Sequence, residues 1–250
     1  MSIHLYTDYP FHNKDIAQYC TFLQEISVSI VEHFHFSELL TSPEKIASFA
    51  QSLASIRILS IDKKDLNTHL FPVEIEYEKK CLLNSSKASQ SLYDGFEFQL
   101  LLRTEWPALF LKKERLNIIL TERKLLTFEE DNRYHLRSII LGFPCIISIT
   151  GIIEAPPKPK EYSLITRTGL TKELQNWLEQ NKEKYLDYND DRVPQVIKGY
   201  LLQSYFFWLK GAVQFCNNKR CALYNSHWQE EVLSAQYYHT LCDKHQAFIR

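Results

Sequence analysis

Hydrophobic and polar residues follow short, regular periods over the first part of the chain. Ile3 to Tyr6 favours a strand, and the apolar residues of Asp15 to Ile26 have helical spacing. Ser27 to His33 favours a second strand, and Ser42-Pro43 is typical of an N-cap followed by the first position of a helix. Because strands alternate with helices here, the pattern predicts an α/β layer with partly parallel strands.

The middle of the chain is predicted to extend this sheet. We expect a buried central strand at Leu116 to Leu120 and a polar loop at Asn84 to Gln90. Two further runs flank Gly142-Phe143-Pro144, which is typical of a turn, so they predict a hairpin at the sheet edge. The other strands expected in this region are Ser55 to Ile61 and Val73 to Tyr77, and the hairpin strands are Tyr134 to Leu141 and Cys145 to Ile153.

A proline-rich segment divides this sheet region from a helical region. The prediction is a sheet lobe over residues 1–154, a linker over residues 155–161 and a helical lobe over residues 162–250. The predicted helices are Thr171 to Tyr185, Val193 to Lys210 and His227 to about Thr240, the last capped by Asn225 or Ser226. We expect the long second helix to bury Tyr200, Leu201, Phe207 and Trp208.

Composition limits the classes of function. The 250 residues carry a net charge of −1, which disfavours a nucleic-acid partner because phosphate contacts require a basic face. The sequence contains neither the P-loop motif G-x-x-x-x-G-K-[ST] nor the dinucleotide-binding motif G-x-G-x-x-G. The first residues do not resemble a signal peptide, and no apolar run is long enough for a membrane helix. We therefore expect a cytoplasmic protein with no membrane partner.

Four residues near the C-terminus carry definite chemistry. Cys216 and Cys221 are separated by four residues, and Cys242 and His245 by two. Three thiolates and an imidazole form a closed tetrahedral set for Zn²⁺ that leaves no position for a reactive water. The spacing predicts one structural zinc ion per chain, while the alternative is ordinary reduced cysteines beside a surface histidine.

The residues around this cluster carry a family resemblance. The Cys-x₄-Cys knuckle after a long apolar helix resembles the archaemetzincin-like metallopeptidases. The blocks Thr121 to Tyr162 and Tyr188 to His245 are similar to an uncharacterised, mainly archaeal family described as metallopeptidases. The segments that carry the likeness are Phe128-Glu129-Glu130-Asp131, Arg133-Tyr134-His135, Ile147-Ser148-Ile149-Thr150-Gly151, Lys198-Gly199-Tyr200 and His227-Trp228-Gln229-Glu230-Glu231. This resemblance implies a metzincin-like twisted mixed sheet with a helical C-terminal subdomain closed by the zinc knuckle.

The catalytic motif of the resembled peptidases is absent from this chain. In those proteins His-Glu-x-x-His-x-x-Gly-x-x-His directly precedes the knuckle. Counted back from Cys216, its three histidine positions fall on Tyr205, Leu209 and Phe215, and its glutamate position falls on Phe206. None of these side chains is a usual zinc ligand or a general base, so we expect core aromatics to fill the site.

Three hypotheses for function follow. The first is a non-catalytic binding or scaffold protein that holds a peptide or protein partner in the remnant cleft. The second is a zinc-dependent hydrolase with a relocated site, for which the candidate residues are His135, Glu130, His227 and Glu230. The third is a zinc-knuckle nucleic-acid binder. Convergence of the four candidate side chains in one pocket would favour the second hypothesis.

Overall fold

The computed structural model describes residues 2–8, 13–27, 29–83, 91–159, 161–162, 164 and 171–249. Strands and helices alternate over the first half, as the hydrophobic periods predict. The strands are β1 (Ser2–Thr7), β2 (Ile30–His35), β3 (Ile58–Ser60), β4 (Asp65–Leu66), β5 (Leu92–Asp94), β6 (Arg115–Thr121), β7 (Lys124–Phe128), β8 (Tyr134–Leu136), β9 (Ile139–Ile140) and β10 (Cys145–Ser148). The helices are α1 (Asn13–Ser27), α2 (Pro43–Ser55), α3 (Pro72–Leu83), α4 (Gly95–Glu105), α5 (Pro107–Phe110), α6 (Ile149–Glu154), α7 (Thr171–Gln180), α8 (Val193–Lys210), α9 (Gln229–Val232) and α10 (Asp243–Gln246).

The main sheet is twisted and mixed. Its five strands lie in the order β2-β1-β6-β10-β9, and all neighbours are parallel except β9, which runs antiparallel to β10. Alternate residues of the central strand β6 face opposite layers, as the two-residue period of a strand requires. Leu116, Ile118 and Leu120 pack with α1 and α8, whereas Ile119 packs with α2 and α4. The predicted α/β class is therefore confirmed, with helices on both faces.

The segment Val73 to Tyr77 is helical, so its prediction as a strand is wrong. It lies within α3, which begins with Pro72 at a position where the missing N–H costs nothing. The carboxylate of Glu74 accepts a hydrogen bond from the Phe71 backbone N–H at 2.9 Å, which satisfies a donor at the helix start. The predicted loop at Asn84 to Gln90 lies outside the described residues.

The predicted hairpin at the sheet edge is confirmed only around its turn. β9 pairs with β10 on either side of residues 142–144, but Tyr134–Leu136 pairs with β7 in a separate sheet. The chain turns into α6 after β10 because Ser148 Oγ accepts a hydrogen bond from the Gly151 N–H at 2.9 Å. A Cβ at Gly151 would lie 2.0 Å from the Arg137 carbonyl oxygen, so this close approach requires glycine.

A buried charge network joins the carboxyl ends of β1 and β6 to α3 and β5. Thr121 Oγ1 donates a hydrogen bond to Asp8 Oδ2 at 2.6 Å, and Arg123 Nε lies 3.6 Å from the same oxygen. The Arg123 guanidinium also donates to Tyr93 Oη at 2.8 Å and to Glu78 Oε2 at 3.3 Å. Tyr93 in turn donates to Glu78 Oε1 at 2.8 Å. These contacts pair charges that would be costly to bury alone.

The long helix α8 has the predicted bounds, but the predicted set of buried side chains is partly wrong. Tyr200 and Leu201 are buried, whereas Phe207 and Trp208 are only half-buried, and Phe206 is fully buried. The helix ends at Lys210 because Gly211 adopts a left-handed backbone with φ 68°. None of the helices in the described part of the chain combines the length and hydropathy needed to cross a bilayer.

The proline segment does not separate two cores in the described residues. Ile152 and Ile153, just before it, and Val196 and Leu201, beyond it, belong to one hydrophobic cluster that also contains β1 and β6 residues. The helical region packs directly on one face of the sheet. The division into a sheet lobe, a linker at residues 155–161 and a helical lobe stays a prediction from the sequence.

Candidate metal centre and edge cleft

Three short segments bring the cysteine and histidine cluster together. The knuckle turn places Cys216 and Cys221 side by side, with the Cys221 N–H donating to the Asn218 carbonyl at 3.0 Å. Cys242 lies at the start of α10, so His245 follows it by one helical turn. The ligand atoms of Cys216, Cys221, Cys242 and His245 all lie within 4.8 Å of one another. The structure therefore brings together all four sequence-predicted metal residues.

The distances within the cluster fit a tetrahedral zinc ion. Zn–S and Zn–N distances of about 2.3 and 2.0 Å place tetrahedral ligand pairs about 3.5 to 3.8 Å apart. The Cys216 and Cys242 sulfurs are 3.8 Å apart. His245 Nδ1 lies 3.6 Å from Cys221 Sγ and 3.2 Å from Cys242 Sγ. These four side chains could hold zinc without a large rearrangement, through Nδ1 of the histidine.

The local electrostatics favour the ligand forms of two of these residues. Burial, together with the positive charge of Lys244, lowers the pKa of His245 and favours the neutral imidazole that a metal requires. Burial raises the pKa of Cys242, but backbone hydrogen bonds from His245 and side-chain hydrogen bonds from Cys216 and Cys221 outweigh it and lower that pKa. Burial raises the pKa of Cys221 to about 11, so metal binding has to displace its proton.

The long helix α8 packs against this cluster through Phe206. The fully buried ring of Phe206 meets the His245 ring edge-on, with ring centroids 5.8 Å apart and planes at 86°. His245 itself is buried, so the Phe206 contact helps to fix the orientation of a candidate metal ligand. The residue at the expected glutamate position thus packs against the candidate metal centre and offers no base.

A separate cleft of about 730 Å³ lies beside the antiparallel edge of the sheet. We call it the edge cleft. One wall is the chain from Arg137 to Leu141, which includes the edge strand β9. The cleft is also lined by Tyr200 and Gln203 of α8, by residues 224–228, and by the proline segment at 155–157, which we call the proline wall. The edge cleft is therefore formed by both the sheet region and the helical region.

Four exposed apolar side chains contribute to the lining of the edge cleft. Phe96, Val213, Phe215 and Trp228 all line it, and all four are exposed. Exposed apolar groups that line one concave surface are typical of a binding site, whereas scattered ones need no explanation. The chemistry of this surface suits a ligand with apolar side chains.

The polar groups at the end of the edge cleft already have protein partners. Arg137 Nε donates to Thr127 Oγ1 at 2.7 Å, Thr127 Oγ1 donates to Glu129 Oε1 at 2.8 Å, and the Arg137 guanidinium pairs with Glu129. The hydrogen bond from Thr127, helped by Arg137, holds the pKa of Glu129 below its ordinary value. A carboxylate with a lowered pKa is a weak general base, so Glu129 is poorly suited to proton abstraction.

The four residues of the relocated-site hypothesis do not all converge. His135 and His227 line the edge cleft, where His135 Nε2 lies 2.9 Å from Asp131 Oδ2. Glu230 lines a second cleft of about 740 Å³, together with Arg220. Glu130 is exposed and lies outside the lining of both clefts. The relocated site remains a prediction, now with two of its four residues on one surface.

The prediction of a single helix from His227 to Thr240 is wrong. The helix starts only at Gln229, so His227 and Glu230 do not share a helix face. α9 covers Gln229–Val232 and a π-helical turn covers Leu233–Tyr237, so His227 precedes the helix. The predicted Ser226 cap is also absent, because Ser226 Oγ donates to Gln236 Oε1 at 2.9 Å. The Glu231 carboxylate accepts a hydrogen bond from the His227 N–H at 2.9 Å at this end of the helix.

The residues at the motif positions divide into two groups. Tyr205 and Phe206 are buried, as expected of core aromatics. Leu209 is 37% exposed and Phe215 is 54% exposed, so for these two the expectation of a filled core is wrong. The reason is that α8 ends at Lys210, which leaves Phe215 in the following loop at the mouth of the edge cleft.

Sequence reasoning missed several residues of the edge cleft. Gln203 and Gln236 line it, and their amide groups donate at 2.9 Å to the Ala222 carbonyl and at 3.0 Å to the Tyr224 carbonyl. No periodic signal marks such residues, because polar glutamines on a buried face resemble interruptions of the apolar pattern.

Comparison with solved structures identifies the fold. A zinc-dependent peptidase from Methanocorpusculum labreanum superposes with a TM-score of 0.51 at 13% sequence identity, over 99% of this chain and 100% of that chain. Archaemetzincin from Methanopyrus kandleri gives a TM-score of 0.49 at 10% identity, over 100% of this chain and 93% of that chain. At such identities the likeness to the zinc-dependent peptidase shows a shared fold.

Comparison with sequences identifies the family. A search of curated proteins gives no significant match. One family model, described as "Probable metallopeptidase family (DUF6775)", matches residues 1–250. Because the match covers the whole sequence, and the zinc-dependent peptidase fold agrees with it, the resemblance to metallopeptidases is confirmed: this chain belongs to the Probable metallopeptidase family.

Proposed function

We propose that this protein is a non-catalytic member of its family that binds an extended peptide in the edge cleft. One observation carries the proposal. Within the described residues, the Cys216, Cys221, Cys242 and His245 cluster is the one group of three or more close metal-ligating side chains, and it is a closed set of four. The edge cleft therefore has no comparable ligand set for a catalytic metal among the described residues, although it has a binding surface.

The shape of the edge cleft supports an extended peptide as the ligand. Among the described strands, β9 pairs with β10 alone, so its second edge can accept an added strand. The exposed rings of Phe96, Phe215 and Trp228 lie beside that edge and provide contacts for apolar side chains. Main-chain hydrogen bonds would contribute affinity, and the apolar contacts would select the peptide.

Zinc has a structural role in this proposal. One ion per chain would be held by Cys216, Cys221, Cys242 and His245. When bound, zinc would join the knuckle to the last turn of the chain and would leave no open position for water. A reducing compartment such as the cytoplasm would keep these thiols available.

Peptide binding is tested with a synthetic library of unstructured peptides. We expect library members with large apolar side chains to bind, and a titration of the best member to give a single site. Trp228→Ala should weaken its affinity by at least about tenfold, because buried aromatic contacts dominate such interfaces. The matched control is Val73→Ala, which removes an exposed apolar side chain on α3. Equal affinities for the two variants would contradict the proposal.

The hydrolase hypothesis keeps one supporting observation, since His135 and His227 line the same cleft. If that cleft held a second zinc ion, metal analysis would count two ions per chain, and peptide cleavage would vanish with a chelator. His135→Ala or His227→Ala would then abolish the cleavage. We expect one zinc ion and no cleavage, because a general base with a suitable pKa and a third ligand are both required. The nucleic-acid hypothesis predicts salt-dependent binding to RNA or DNA, which the net charge of −1 disfavours.

A further inference from the structure

The ammonium group of Lys158 lies in a site built from aromatic rings. Its nitrogen is 4.5 Å from the ring centroid of Tyr162 and 4.8 Å from that of Tyr185. The carboxylate of Asp187 lies 3.6 Å from the same nitrogen. The Lys158 side chain is 15% exposed, so its charge is largely removed from water. Two ring faces and one carboxylate compensate for that loss of hydration.

A third ring stiffens this site. Trp177 of α7 stacks on Tyr185 with centroids 5.9 Å apart and planes at 16°, and it meets Tyr162 at 6.2 Å. The Tyr185 hydroxyl donates a hydrogen bond to the Leu178 carbonyl at 3.2 Å, which fixes the ring relative to α7. Other lysines in the described part of the chain that face aromatic rings each face a single ring. The Lys158 ammonium group thus differs from these lysines in contacting two rings and a carboxylate.

Lys158 directly follows the proline wall of the edge cleft. Ala155, Pro156 and Pro157 line that cleft, and the next residue inserts its side chain into the aromatic site. On the inner side, the buried amide of Gln229 donates to the Pro156 carbonyl at 3.2 Å, and the Gln229 backbone N–H donates to the Pro157 carbonyl at 3.1 Å. The wall is therefore attached at two places, by Gln229 and by Lys158.

The geometry assigns an ammonium-binding site to Tyr162, Tyr185 and Asp187, filled by the chain's own Lys158, which holds the proline wall of the edge cleft in its binding position. This inference rests on the proposed function, since it describes what positions the surface that binds the peptide. Lys158 is a positioning residue that acts through Pro156 and Pro157. Any process that withdraws its charge from the rings would loosen the wall and weaken peptide binding.

The test compares amide hydrogen exchange in the wild-type chain and in Lys158→Met, which keeps the aliphatic stem and removes the charge. Two amides report on the wall: the Gln229 N–H, bonded to Pro157, and the Leu186 N–H, which donates to Gln229 Oε1 at 3.1 Å. We expect both to exchange about five to ten times faster in the variant, as the strength of a partly desolvated cation–π contact implies. Lys158→Arg should restore both rates to within about twofold, because a guanidinium also stacks on aromatic faces.

The matched control is Lys45→Met. The Lys45 ammonium pairs with Glu105, lies 4.9 Å from the Trp106 ring centroid and is 28% exposed, so it resembles Lys158 in charge, ring contact and burial, and it lies outside the lining of the edge cleft. This variant should leave the exchange of the Gln229 and Leu186 amides unchanged. Unchanged exchange in Lys158→Met, or equal acceleration in both variants, would overturn the inference.

A separate measurement distinguishes this inference from the proposed function. Peptide affinity should fall about fivefold or more in Lys158→Met and stay unchanged in Lys45→Met. If the wild-type protein binds no peptide while exchange still accelerates in Lys158→Met alone, the proposed function fails and the ammonium site is supported. If exchange accelerates while peptide affinity is fully retained, control of the edge cleft by Lys158 is refuted.

Discussion

Cys216→Ser is expected to release the metal and to unfold the C-terminal segment around the knuckle. An incomplete tetrahedral site loses much of the roughly 10 kcal/mol or more that structural zinc contributes to folding. Cys216 Sγ is 3.8 Å from Cys242 Sγ, so a serine oxygen there weakens the ligand set directly. Zinc content per chain and the thermal melting curve are the measurements, and Cys242→Ser should behave in the same way.

Cys20→Ser provides the control for the loss of a thiol. Cys20 is half-buried on α1 and does not belong to the candidate metal cluster. It should retain one zinc ion per chain and melt close to the wild type. Wild-type melting together with retained zinc in Cys216→Ser would contradict the assignment of the metal centre, and the absence of zinc from the wild-type protein would remove it altogether.

Phe206→Ala is expected to lower the free energy of unfolding by about 3–5 kcal/mol, the range for large aromatic truncations in cores. The ring is fully buried in the main hydrophobic cluster and lies against His245, so the cavity would also loosen a candidate zinc ligand. Denaturant titration measures the loss. Zinc affinity, measured with a competing chelator, should fall in the same variant.

Phe207→Ala is the natural comparison, because the same side chain is removed one position along the same helix. Phe207 is half-buried and contacts Phe143, with ring centroids 5.6 Å apart, so its truncation should cost clearly less. A loss in Phe207→Ala equal to that in Phe206→Ala would show that burial does not distinguish these two positions.

The long helix and the metal cluster were predictable because each rests on a strong local signal. Val193 to Lys210 is apolar over five turns and ends before a glycine, so its bounds follow from the sequence. The metal cluster is predictable because cysteine and histidine pairs with these short spacings are typical of zinc sites. Both signals can be recognised in the sequence without knowledge of the tertiary structure.

Other features depend on contacts that no local pattern contains. Val73 to Tyr77 alternates like a strand, but Pro72 and the Glu74 carboxylate start a helix there. The edge cleft combines β9, α8 and the proline segment, which are far apart in sequence. Phe206 is buried and Phe207 is only half-buried, although the two are adjacent. The apolar stripe of this helix is wide, so the sequence does not show which residues at its edges are covered by the core.

The charge network at the carboxyl ends of β1 and β6 has a consequence for where this protein can recognise a ligand. In open α/β sheets, ligands usually bind in the crevice just beyond those strand ends. Here Asp8, Arg123 and Glu78 occupy that position and bind one another. A ligand entering between them would have to separate buried charges, at a cost of several kcal/mol. The usual ligand position of an open α/β sheet is thus occupied by ion pairs of the protein itself, which supports the proposed binding at the flank of the sheet.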